Sequence, residues 1–92
     1  DIFHFIEALT VAAEKAGLPT ATAKLLAMQT VYGAASLAAE SGEEPGVLRQ
    51  QVTSPNGTTA AALGVLMGED RLTNLLTEAV EAARLRSIEL GK

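Results

Sequence analysis

The sequence predicts an all-α fold of about five helices, and three observations predict it. Apolar residues recur at three- and four-residue spacing along most of the chain, the signature of a 3.6-residue period. No stretch alternates apolar and polar residues as a half-buried strand does. The composition is 48% hydrophobic but only 3% aromatic, so alanine, the residue with the best helix propensity, carries much of it. Alanine-rich helices bury area by close approach of their backbones. The expected core is helix tight against helix, with Phe3, Phe5, Tyr32 and the leucines as its few bulky anchors in a core or an interface.

Each element follows in order. From Asp1 to Ala16, the residues Ile2, Ile6, Leu9, Ala13 and Ala16 keep helical spacing, and Gly17 is placed as a C-terminal cap. Asp1 suits a cap, although so abrupt a start also suits a helix cut from a longer chain. Leu18-Pro19-Thr20 reads as a connection and restart. A second helix is predicted from Thr22 to about Ser41, apolar on most sides, as a helix buried between partners is. Gly42 stops it and Pro45 opens a short helix over Val47 to Val52. Ser54-Pro55-Asn56-Gly57 is a turn on residue chemistry. Thr58 or Thr59 is expected to cap a helix running to Met67 and closed by Gly68, and Asp70 to cap the last helix, which runs to Gly91.

The 92 residues are expected to form a single domain, 1–92. A chain of this size buries only about 60% of its unfolded surface, so partner chains are expected before any motif is considered. The net charge of −4, with seven basic residues spread along the chain, argues against nucleic acid and anionic membranes as partners. The chain lacks cysteine, which excludes disulfides and thiolate metal sites and fits a cytoplasmic setting. No apolar run approaches the roughly 20 residues that span a bilayer.

One stretch carries chemistry. A turn rich in glycine and hydroxyls that feeds an alanine-rich helix presents unpaired backbone N–H groups at the positive end of the helix dipole. That arrangement binds carboxylates or phosphates. Gly57 is expected to let a ligand approach the backbone, while Ser54, Thr58 and Thr59 add groups that both donate and accept. The bland alternative is a plain turn with a threonine cap.

Val52-Thr53-Ser54-Pro55-Asn56-Gly57-Thr58-Thr59-Ala60-Ala61 resembles the signature of pyrroline-5-carboxylate reductases, V-x-S-P-x-G-T-T followed by a helix and a Val-Leu pair, here Val65-Leu66. The match extends upstream through Gly17-Leu18-Pro19, Gln29-Thr30-x-x-Gly33-Ala34 and Glu44-Pro45-x-x-Leu48-Arg49-x-Gln51-Val52. Downstream it takes in Ala79-Val80-Glu81-Ala82-Ala83 and Arg86-Ser87-x-Glu89-Leu90. Asn56 departs from the family, which often has a second glycine there; Asn tolerates a left-handed backbone.

The resemblance implies the C-terminal dimerisation domain of an oxidoreductase that reduces 1-pyrroline-5-carboxylate to L-proline with hydride from NADPH or NADH in proline biosynthesis. It implies intertwined helices in a homodimer, with higher assembly left open. Ser54, Asn56, Gly57, Thr58 and Thr59 would hold the substrate, with the hydroxyl of Thr59, the catalytic candidate, near the ring nitrogen. The nucleotide belongs to an N-terminal Rossmann domain. This chain has no G-x-G-x-x-G and no strand to precede one, so no cofactor is expected to bind it and the isolated chain is expected to be inactive. A non-enzymatic helical dimerisation module is the competing reading.

Other positions have simpler explanations. His4 is expected to be packed or partly exposed rather than an acid–base group, and Glu40, Glu43 and Glu44 to be a solvated turn rather than a metal site. Glu81 and Arg84 form a three-apart pair on the wet face of the last helix. Gly33 costs about 1 kcal/mol inside a helix, which a close helix crossing at a dimer two-fold would offset; a simply tolerated glycine is the alternative.

Overall fold

A computed structural model describes residues 1–92 and is all-helical, without strands. The elements are α1 (Ile2–Lys15), α2 (Thr20–Ser41), α3 (Pro45–Gln51), α4 (Thr58–Met67), a 3-10 turn (Gly68–Asp70) and α5 (Arg71–Leu90). Four of the helices have ten residues or more, and the remaining one, α3, is a segment of seven. The substantial helices thus number four where the sequence predicts about five. The contacts gather into two units, Asp1–Leu48 and Arg49–Lys92.

In the first unit, Asp1 caps α1: its carboxylate accepts from the His4 amide at 2.8 Å. The other end closes through two bonds, Leu18 N–H to the Ala13 carbonyl at 3.2 Å and Gly17 N–H to that of Glu14 at 2.9 Å. This is the pairing of a Schellman motif, and it requires the left-handed φ of 110° that Gly17 adopts. α2 begins at Thr20, two residues before the predicted start, because Pro19 at its N-cap already accepts from Ala23 at 2.9 Å. The Thr20 hydroxyl donates to the Glu14 carboxylate at 2.9 Å, tying the start of α2 to the end of α1.

α1 packs on α2 through small residues. Ala23 and Ala27, four apart and so on one face, are 0% and 2% exposed. Thr10 is buried opposite this stripe, with its hydroxyl satisfied by the Ile6 carbonyl at 2.8 Å. Ile6, Leu9, Ala13 and Val31 are half-buried around them. A buried methyl contributes roughly 0.8 kcal/mol. Ordering one residue costs roughly 1–2 kcal/mol of backbone entropy. Two buried alanines therefore stabilise very little.

The expected bulky core does not form within the chain. Phe3 is 80% exposed and Tyr32 68%, and Phe5 and most leucines are exposed as well. The cause is geometric: the α1–α2 contact is made on the alanine stripe of α2, so large side chains on its other sides have nothing to cover them. Gly33 marks no close crossing inside the chain, since a Cβ built there meets no atom within 4 Å. His4 is exposed and lies 3.3 Å from the Glu7 carboxylate. Glu40, Glu43 and Glu44 are exposed.

In the second unit, α4 packs on the 3-10 turn and on α5. None of the residues of α4 or α5 is buried. Along α5 the apolar side chains stay open, with Val80 at 67%. Asp70 stands at the N-cap of α5 as predicted, but its carboxylate accepts no first-turn amide. A capping residue needs extended backbone, and Asp70 is left-handed at φ 53°, next to Glu69 at φ 55°. The Asn74 side chain supports this junction by donating to the Glu69 carbonyl at 3.3 Å. Arg84 grips Glu81 through Nη2 at 2.6 Å and Nε at 2.9 Å, and Arg86 pairs with Glu89 at 2.7 Å.

Candidate functional site

Ser54, Asn56, Gly57, Thr58 and Thr59 fall together in one tight turn and the first turn of α4. Thr53 sets the entry. Its hydroxyl donates to the Arg49 carbonyl at 2.6 Å and its amide to that of Gln50 at 3.2 Å, which satisfies carbonyls left open at the end of α3. The chain then reverses: the Gly57 amide donates to the Ser54 carbonyl at 3.1 Å. Pro55 suits the second position of this turn because its ring presets φ. Asn56 follows with a φ of 58°, a value Asn tolerates better than other side chains.

Gly57 has a requirement the sequence does not reveal. Its φ of −86° is open to any residue. A Cβ placed there, however, would lie 3.3 Å from both the Cβ and the carbonyl oxygen of Ser54. The turn itself crowds a side chain at this position, and Ser54 would have to give by a few tenths of an ångström to admit one.

The start of α4 also differs from expectation. Gly57, not Thr58 or Thr59, is the N-cap, and the two threonines take the first two helical positions. Gly57 has the extended backbone that a cap requires, and the turn hands the chain to it directly. A glycine cap brings no side-chain oxygen, so no side chain accepts from the first turn. The amides of Thr58, Thr59 and Ala60 are left without acceptors, and Ala61 is the first to be satisfied, donating to the Gly57 carbonyl at 3.1 Å.

These three amides sit where the helix dipole places its positive end. Ser54, Asn56, Thr58 and Thr59 are exposed around them, so the protein's own side chains leave the corner open. From Pro45 to Gly68 the chain has no carboxylate, and Arg49 is its one charged residue, so an arriving anion meets no like charge in this segment. The arrangement can hold a carboxylate or phosphate by backbone donors, with hydroxyls to orient it. It contains no acidic, basic or imidazole side chain, so it binds and orients rather than titrates.

Sequence reasoning located the turn and its hydroxyls but did not single out Ala60, whose side chain carries no chemistry. The available signal was positional: the third residue of a helix with a glycine cap keeps a bare amide.

The sequence model of the family described as pyrroline-5-carboxylate reductase dimerisation matches residues 2–90, across both units. The chain is 49% identical over 89 residues to pyrroline-5-carboxylate reductase of Synechocystis sp., covering 95% of this chain and 32% of that protein. To the Arabidopsis thaliana enzyme of the same name it is 49% identical over 92 residues, covering 99% and 33%. Among solved structures, Plasmodium falciparum pyrroline carboxylate reductase with NADP bound superposes with a TM-score of 0.91 at 32% identity, over 99% of this chain and 34% of that one. The chain spans about a third of the length of the curated relatives it matches. With a family match over nearly its whole length and a helical fold in common, this chain belongs to the pyrroline-5-carboxylate reductase dimerisation family.

Proposed function

We propose that residues 1–92 act as one domain, the dimerisation and substrate-holding part of an oxidoreductase that reduces 1-pyrroline-5-carboxylate to L-proline. The observation that carries this reading is the open corner at α4, where three unpartnered amides stand among free hydroxyls. A small cyclic amino acid presents one carboxylate and one ring nitrogen. The amides of Thr58, Thr59 and Ala60 suit the carboxylate, with Ser54, Asn56 and Gly57 shaping the turn beside it. The Thr59 hydroxyl is assigned to the ring nitrogen that gains a proton.

The hydride comes from NADPH or NADH. This chain has no strand followed by a glycine-rich turn, so its residues do not fit a dinucleotide, and we assign that group to a separate Rossmann domain. The exposed apolar residues of α1, α2 and α5 support an intertwined homodimer, with higher assembly open to it. A cytoplasmic setting suits the cysteine-free composition. No helix is long and apolar enough to cross a membrane.

A dimerisation module that had lost the chemistry would share the apolar faces but would need no hydroxyl-lined anion corner. Titration with L-proline, read by amide chemical shifts, separates the two. Shifts centred on Thr58, Thr59 and Ala60 are expected, with a rise in melting midpoint equivalent to about 1.4 kcal/mol at ten times the dissociation constant. Saturating proline that moves none of these amides would leave only the dimeriser. Reductase turnover by these 92 residues alone would overturn the assignment of the nucleotide to another domain.

A further inference from the structure

We draw no further inference here: the strongest candidate, the open apolar groove bounded by Ile6, Glu7, Thr10, Lys24 and Met28 between α1 and α2, is an unpartnered face with nothing in the structure to show what covers it.

Discussion

The Gly57 amide donates to the Ser54 carbonyl at 3.1 Å, and the same two residues stand so close that a methyl group on Gly57 would lie 3.3 Å from the Ser54 Cβ. Hydrogen bond and steric limit together hold the turn that delivers the chain to α4. Gly57→Ala must either push Ser54 away or open the turn. The expected cost is about 1 kcal/mol, the low end of the range for overpacking, because Ser54 is exposed and has to give only slightly. Proline-induced shifts at Thr58 and Thr59 should be lost with it. Unchanged thermal stability together with unchanged shifts would show that the turn is not held this way.

Asn56 tests the backbone rather than the space. Its φ of 58° costs other L-residues roughly 1–2 kcal/mol, while glycine adopts it freely. Asn56→Ala should therefore destabilise by about 1 kcal/mol, and Asn56→Gly should retain near-parent stability and proline response. Chemical denaturation of the two variants side by side checks the order, and equal midpoints would argue against a left-handed residue here.

Gly33 separates the chain from its assembly. Within one chain a Cβ there meets nothing, so Gly33→Ala should raise helix propensity by about 1 kcal/mol. If a second copy crosses α2 at this glycine, the same change weakens association. Light scattering of the parent should give about twice the chain mass of 9.5 kDa, and the variant should dissociate at higher concentration. A parent mass of one chain at micromolar concentration would remove the dimer. A variant dimer as tight as the parent's would move the crossing elsewhere.

The Glu81–Arg84 pair has a signed pH dependence. Hydrogen bonding from Arg84 lowers the carboxyl below its usual range, and the carboxylate in turn raises the guanidinium. A depressed folded-state carboxyl contributes stability above its unfolded value and loses it as pH falls through the folded value. Both groups are exposed, so the contribution is small and screened by salt. In an NMR titration, Arg84→Gln should move the Glu81 midpoint upward. An unmoved midpoint would mean the pair does not persist in solution.

Most of the helical layout was legible because its signals are local. Gly17 at φ 110° and Gly42 at φ 73° end α1 and α2 where their sequence positions indicate, and Pro45 opens α3. The exposed turn from Ser54 to Gly57 was legible for the same reason. The capping residues were not. Thr58 and Thr59 have the right chemistry for an N-cap, but the role passed to Gly57 through a bond to Ser54 three residues back. Asp70 has the right chemistry and the right place, yet a left-handed backbone keeps it from accepting a bond.

By itself, then, the sequence determined that this protein is helical, where its helices break and which turn gathers glycine and hydroxyls. These depend on residues within one helical turn of each other. Only the tertiary structure decided that α1 meets α2 on Ala23 and Ala27, leaving Phe3 and Tyr32 uncovered. Burial is a property of what lies opposite a side chain, and it is not written in the spacing of residues along the chain.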